Sequence, residues 1–367
     1  MNRKLASLLL MILMPALSFA ADISIPSLEL VTRMYPDDGV FTLQTLGSFE
    51  MEVEGGYKFG GKLKLGIEDA VVDDILEENG MPVLSFNAAE VTIRDMFGIP
   101  LSASYYTGII DDFCNGEIFH TYFGTSIIEP KLSGFMYFGD GIDYDGLHSV
   151  AGTGISVSTT FGTEWNYTRA YLYQDAYLGS GYFSSDLRSA FNLGDLKLET
   201  FFGASFPVST MGIYRAGFLM YYKASETGSF FAQIGVPRYD PGEDSFNINL
   251  FYFLFEPRLS FGIFGLNFSF FWHPAYYHNT ATGEEGSIDL LVDFAFGDLE
   301  TFPVTGGLSP QFTYDANSDT DQFLLKASPY MTVATAGVLW DFKLDVNVLP
   351  FDLSTMFEGY IGVRAEF

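Results

Sequence analysis

Residues 49–67 read Phe-Glu-Met-Glu-Val-Glu-Gly-Gly-Tyr-Lys-Phe-Gly-Gly-Lys-Leu-Lys-Leu-Gly-Ile. Side chains of a β-strand alternate between faces, so period two is the test. Phe49, Met51 and Val53 fall on one face, and Glu50, Glu52 and Glu54 on the other. Gly55-Gly56 suits a tight hairpin turn. The return run places Tyr57, Phe59, Leu63, Leu65 and Ile67 on the apolar face. Lys58, Lys62, Lys64 and Glu68 fall on the opposite one. Lysines facing glutamates across the hairpin predict a charge ladder on a wetted face.

The same alternation recurs outward from this hairpin. Ile99, Leu101, Ala103, Tyr105 and Ile109 alternate with Ser102, Ser104, Tyr106 and Gly108. Trp165, Tyr167, Tyr171 and Tyr173 form an aromatic face against Asn166, Thr168 and Gln174. Phe183, Leu187, Phe191 and Leu193 oppose Ser184, Asp186, Arg188 and Asn192. Leu196, Leu198, Phe202 and Phe206 oppose Lys197, Glu199 and Ser205. Leu339, Phe342, Leu344 and Val346 crowd a run carrying Asp341, Lys343 and Asp345, with an imperfect phase. Turn signals punctuate these runs at Asn115-Gly116, Gly139 to Gly141, Gly179 to Gly181, Asp240-Pro241-Gly242, Gly283 and Gly297-Asp298. No helical period is sustained after the first residues, and Val71 to Glu78 reads as loop. The expectation is a single all-β domain over residues 21–367.

Charge and composition bound what such a domain does. The 367 residues carry 18 Lys+Arg against 46 Asp+Glu, a formal net charge of -28. A nucleic-acid binder needs a basic face, so that class is excluded. Apolar residues at 48% and aromatics at 17% exclude an acidic disordered chain. The single cysteine, Cys114, excludes a disulfide framework and a multi-cysteine zinc site.

The first 20 residues have the three-part layout of a cleaved secretory signal peptide. Asn2-Arg3-Lys4 is the positive region, Leu5 to Leu17 the apolar one, and Ser18-Phe19-Ala20 the small-x-small site. No cysteine lies there for a lipoprotein anchor. Beyond it no apolar run approaches the ~20 residues of a spanning helix. Between a soluble sandwich and a membrane barrel, the aromatic load and the charges in mid-strand favour the barrel.

The C-terminus points the same way. Phe357, Ile361, Val363, Ala365 and Phe367 share one face, and Glu358, Tyr360, Arg364 and Glu366 the other. This strand resembles the one by which bacterial outer-membrane β-barrels of the porin-like class are recognised for assembly. An aromatic is common where Ala365 stands. The resemblance implies an up-and-down antiparallel transmembrane barrel, a place in the bacterial outer membrane, and contact with its lipid and with the barrel-assembly machinery. Ile361, Val363, Ala365 and Phe367 would carry the assembly signal.

At ~10 residues per oblique crossing the chain supplies roughly 16 to 20 strands, with about 18 expected. Gly194-Asp195, Glu256-Pro257-Arg258 and Gly297-Asp298 read as short periplasmic turns. Ala70 to Pro82, Gly139 to His148, His273 to Gly286 and Asp315 to Asp321 read as outer loops. Ala21 to Val40 is too short for a separate plug domain, which argues against a receptor that carries one. An interior this wide is wet unless loops fill it.

The expected function is passive passage of small hydrophilic solutes, with a bias to cations. Glu50, Glu52, Glu54, Lys58, Lys62, Lys64, Asp186, Arg188, Lys197, Glu199 and Arg364 are the candidate pore-lining residues. The bland reading of the first six is a structural ladder. Two alternatives stand beside the pore: a plugged barrel that carries hydrophobic substrates or acts as an adhesin, and an outer-membrane hydrolase. No G-x-S-x-G nucleophile motif is present. Asp111-Asp112, Asp143 with Asp145, Glu243-Asp244 and the other acidic pairs read as solvated loop tips. Asp315 to Asp321 opens like a calcium loop but has Thr320 where Gly is needed and Lys326 where the bidentate Glu belongs. His273 and His278 flank an aromatic loop without metal-ligand spacing, and Cys114 reads as incidental. Gly152-Thr153-Gly154 opens a strand, not a phosphate loop. Neither a cofactor nor a metal is expected. Trimers are common among porins, and a homo-oligomer is left open.

Overall fold

A computed structural model describes residues 22–37, 40–71, 85–123, 146–207, 212–273, 287–297, 299, 302–315 and 322–365. The hairpin read first is β2 (Val40–Gly55) and β3 (Phe59–Val71). Met51 faces Leu65, Glu52 faces Lys64 and Glu54 faces Lys62. The turn is Gly56 to Lys58, and Gly56 takes a φ of 94°, open to glycine at no steric cost.

The strand before it is β1 (Asp22–Asp37). After the hairpin come β4 (Ser85–Ile93), β5 (Leu101–Phe113), β6 (His148–Phe161) and β7 (Thr163–Asp175). Next are β8 (Tyr182–Leu193), β9 (Leu196–Pro207), β10 (Ile213–Ser225) and β11 (Gly228–Tyr239). Then follow β12 (Tyr252–Phe261), β13 (Phe264–His273), β14 (Ser287–Phe296) and β15 (Val304–Asp315). The series ends with β16 (Phe323–Thr335), β17 (Val338–Leu349) and β18 (Phe357–Ala365). Each strand pairs antiparallel with its sequence neighbours, and β1 also pairs with β18, Leu30 opposite Val363. The 18-stranded sheet therefore closes into a barrel without edges. The stretch before Val40, read as preceding the first strand, is the strand that closes it.

Connections on the rim where β18 ends are short: two residues at 194–195, 226–227, 262–263 and 336–337. The opposite rim carries the long ones, with 34 residues between Phe113 and His148. Glu256-Pro257-Arg258 is not among the turns. It lies inside β12, where Pro257 faces out and Glu256 in, and the turn falls at Gly262-Ile263. Proline survives there because the missing donor is one ladder bond in a strand otherwise paired on both sides.

The two faces sort by polarity in an inverted sense. Large apolar side chains are exposed outside, and polar ones are buried inside. On β5, Tyr105 is 60% exposed while Tyr106 is 1% exposed. An apolar belt around a closed sheet is the surface a lipid bilayer requires. On β7 the alternation holds but its sense is reversed from the reading above. Tyr167, Tyr171 and Tyr173 point inward, and Leu172 is the exposed residue. A tyrosine satisfies either environment, because its ring is apolar and its hydroxyl needs a partner. On β17, Leu339 shares the inner face with Asp341 and Lys343, while Trp340, Phe342 and Leu344 face out.

One α-helix interrupts the β architecture among the described residues, beside two single 3-10 turns at Met96–Gly98 and Ile248–Leu250. Asn115-Gly116 was read as a turn, but Asn115 caps α1 (Gly116–Phe123), accepting the Ile118 amide at 2.9 Å. Eight residues are too few to show a helical period. The signal-peptide segment, Val71 to Glu78 beyond Val71, Gly139 to Gly141, Gly283, Phe367 and most of the calcium-like loop lie outside the described residues.

Candidate functional site

The interior of the barrel is the candidate site, and α1 decides its shape. Cys114 leaves β5 with a left-handed φ of 54°, which turns the chain inward instead of onward. Phe119 and Phe123 of α1, with Phe113 and Leu147 at the two ends of the segment, bury themselves against the inner wall. Their partners are Tyr171, Tyr173, Phe201, Leu219, Phe231, Tyr252, Leu254 and Phe271, which span β7 to β13. Phe119 meets Phe231 edge-on at 6.2 Å. Leu147 needs a bare wall. A Cβ on Gly217 or Gly235, neighbours across β10 and β11, would stand 2.6 Å from its Cδ1.

Two wall side chains hold the Cys114 peptide. Its N–H donates to Glu199 Oε1 at 2.6 Å, and its carbonyl accepts Gln233 Nε2 at 2.5 Å. Tyr252 Oη in turn donates to Gln233 Oε1 at 3.3 Å. The thiol lies in this packing, and burial raises its pKa well above the ordinary value, with the Glu199 carboxylate adding to the effect.

Arginines line the wall beneath and beside the segment, each spent on carboxylates. Arg188 pairs with Asp111 through Nη1 and with Glu199 through Nη2 at 2.9 Å. Tyr171 Oη also donates to Asp111. Arg215 grips Asp186 with Nε at 2.6 Å and Nη2 at 2.8 Å, and Ser205 with Nη1 at 2.6 Å. Arg169 binds Glu90 at 2.5 Å and Ser156 Oγ at 2.8 Å. Such buried pairs persist because every member has hydrogen bonds, and loss of one partner strands a charge. Asp111 is thus no loop tip. It faces inward within β5, and only its pairing across three strands with Arg188 reveals its role.

His148 Nε2 lies 3.4 Å from Asp186 and 3.1 Å from Tyr173 Oη. His148 is the first residue of β6, opposite Phe113 at the end of β5, so this meeting of a histidine and an acid lies inside the barrel toward the long-loop end of the strands. His273 ends β13, and His278 lies outside the described residues.

The other sector, β14 to β18 with β1 to β3, is polar. Glu52 bonds Lys62 at 2.5 Å, and Lys64 lies 3.3 Å from Glu50 and 3.8 Å from Glu52. Glu54 leaves the ladder and takes Arg94 at 3.0 Å, while Lys58 sits exposed in the turn. Asp345 holds Lys343 at 3.0 Å and Lys326 at 3.2 Å. Arg364 Nε donates to Asp341 at 2.8 Å, and Arg33 to Glu358 at 3.0 Å. Lys197 bends back to the Gly194 carbonyl at the short-turn rim, 2.8 Å away. Of the candidate pore residues, then, Asp186, Arg188 and Glu199 are buried in the wall network. Glu50, Glu52, Lys62 and Lys64 form one ladder. Ile361 faces outward on β18 and Ala365 is buried.

No family model and no curated protein sequence matches the chain. Solved structures do. OpdK of Pseudomonas aeruginosa, crystallised with vanillate, aligns over 94% of this chain and 98% of its own, with TM-score 0.52 at 8% identity. Wzi of Escherichia coli, described as a carbohydrate-binding barrel involved in group 1 capsule assembly, covers 93% and 85%, with TM-score 0.49 at 11% identity. A porin of Rh. blastica covers 95% and 100%, with TM-score 0.45 at 13% identity. The likeness to OpdK is one of fold: a closed, 18-stranded antiparallel β-barrel.

Proposed function

We propose that the barrel resides in the bacterial outer membrane as a channel for small hydrophilic solutes, with cations favoured. The observation that carries this is the inverted polarity of a closed sheet: apolar outside, and inside ionised and hydroxylated over β14 to β18 and β1 to β3, with the aromatic packing on α1 confined to β7 to β13. In that reading residues 21–367 are the mature single domain, exported behind the first 20, and the long-loop rim faces outward. Glu50, Glu52, Lys62, Lys64 and Arg364 line the polar sector, and the segment carrying α1 narrows the lumen from the other side. Lys197 and Lys58 stand at the inner mouth.

The cation bias is supported by carboxylates whose described partners are neutral. Asp175 accepts Ser184 Oγ at 2.6 Å and the amides of Tyr177 and Leu178. Asp293 accepts two hydroxyls. Charges left without a cation give the lumen a negative potential, strongest where low-dielectric walls focus it. Single-channel recording of the refolded mature chain in a planar bilayer under a salt gradient tests the reading. Stable open steps with a cation-biased reversal potential are expected. A folded, heat-modifiable barrel that never conducts overturns it in favour of the plugged barrel.

A further inference from the structure

Asp293 stands on the inner face of β14, opposite Asn267 of β13, and is 1% exposed. Its Oδ1 accepts Ser309 Oγ of β15 at 2.7 Å and Tyr330 Oη of β16 at 2.8 Å. Its Oδ2 is buried and has no hydrogen-bond donor among the described residues. The geometry is built for this. Tyr330 reaches Asp293 by lying over Gly307 of the intervening strand, where a Cβ would stand 2.5 Å from Tyr330 Oη. Any side chain at position 307 would push the ring off the carboxylate.

A carboxylate oxygen taken out of water with no donor is unfavourable, and buried polar atoms are nearly always satisfied. Each hydroxyl has a single proton, and both protons are committed to Oδ1. What Oδ2, Ser309 Oγ and Tyr330 Oη still offer is lone pairs alone. An all-acceptor set of oxygens calls for a cation. The basic side chains on neighbouring positions are engaged elsewhere: Lys343, opposite Tyr330, holds Asp345, and Arg258, opposite Asn267, holds Glu256. No group of three or more His, Cys, Asp or Glu suited to a metal occurs among the described residues. One carboxylate with neutral oxygens fits a hard monovalent ion better than a divalent one, which gathers several carboxylates.

We propose that Asp293, with Ser309 and Tyr330, binds an alkali-metal cation on the inner wall of the barrel. The site deepens the cation-favouring channel proposed above and rests on it. Thallium(I) serves as the probe, because it replaces potassium and scatters anomalously. Crystals of the folded full barrel soaked in a thallium salt should show an anomalous peak in contact with Asp293 Oδ2. Asp293→Asn keeps an oxygen for Ser309 and Tyr330 but removes the charge, and the peak should vanish. In detergent solution, potassium-reversible broadening of the sodium-23 resonance should report roughly tenfold weaker binding for the same variant.

Absence of the peak at Asp293 in the wild type, where thallium is seen elsewhere, overturns the site without recourse to any variant. So does a water in its place, or a protonated-carboxyl infrared band assigned to Asp293. Persistence of the peak in Asp293→Asn overturns it as well. The channel reading fails separately: thallium at Asp293 in a barrel that never conducts sinks conduction and keeps the site. Conduction with no thallium there does the reverse.

Discussion

The backbone N–H of Cys114 donates to Glu199 Oε1 at 2.6 Å, joining the first residue beyond β5 to the inner face of β9. Glu199 also holds Arg188, which holds Asp111 on β5. A closed loop of contacts thus runs from β5 to the inward segment to the wall four strands on and back. The segment's position is set by the charge network beneath it.

Loosening that contact should widen the pore. Glu199→Ala leaves Arg188 with Asp111 alone and the buried Cys114 amide without its acceptor, at a cost of about 1–3 kcal/mol. Gln233→Ala removes the carbonyl's donor at about 1–3 kcal/mol. Both variants should show higher single-channel conductance than the wild type and faster proteolytic cutting between residues 114 and 147. Unchanged conductance with unchanged cutting would show that the two side chains do not hold the segment.

Arg188 is the keystone of the pairing. Arg188→Leu leaves Asp111 and Glu199 buried without their cation, for a loss of about 3–5 kcal/mol. Lysine cannot reproduce the two-armed geometry and should recover only part of it. Urea unfolding followed by the shift between heat-modifiable forms on a gel measures the difference. Equal midpoints for wild type and Arg188→Leu would refute the account.

Gly217 and Gly235 make room for Leu147. Valine at either position places carbon where Leu147 Cδ1 already lies, 2.6 Å from the new Cβ. Overpacking of this kind costs typically about 1–3 kcal/mol. The strain falls on Leu147 and on the wall together, since the same Cβ would stand 2.3 Å from Phe201 Cε1 at position 217 and 2.6 Å from the Ala216 carbonyl oxygen at position 235. Protease sensitivity near residue 147 should rise while the barrel still migrates as folded.

Cys114 should resist maleimide in the folded barrel. It is buried, and its thiol is held protonated by that burial and by Glu199. The thiolate is the reactive form, so labelling should be near zero until urea opens the structure. Glu199→Ala should speed it by lowering the pKa and loosening the segment together. Rapid labelling of the folded wild type would contradict the packing described.

The Glu52–Lys62 pair offers the converse case. Both side chains keep partial access to the lumen, so Glu52→Gln should cost about 1 kcal/mol or less. Its effect should appear in selectivity: the reversal potential should shift toward anions while the unfolding midpoint barely moves. A large stability loss with no change in potential would make the ladder purely structural.

Strand by strand, the sequence by itself determined that the protein is a barrel. Period two is a local property, written in Phe49 to Ile67 and legible because each strand contacts lipid on one side and polar groups on the other. The strand number followed from length, and the rim with short turns from glycine positions such as Gly194. What only the tertiary structure decided involves residues far apart. The tyrosines of β7 turn inward because Asp111 and Asp186, on other strands, offer their hydroxyls acceptors. Asp111 is a wall residue because Arg188 waits three strands away. α1 is eight residues long, too short to signal itself, and it forms where it does because Gly217 and Gly235 leave a hollow for Leu147. The oxygen of Asp293 lacks a donor because Tyr330 crosses Gly307 to take up its neighbour. Alternation reports which face a residue occupies, whereas the partner it meets there depends on closure of the barrel, which brings β1 to β18 and folds residue 114 onto residue 199.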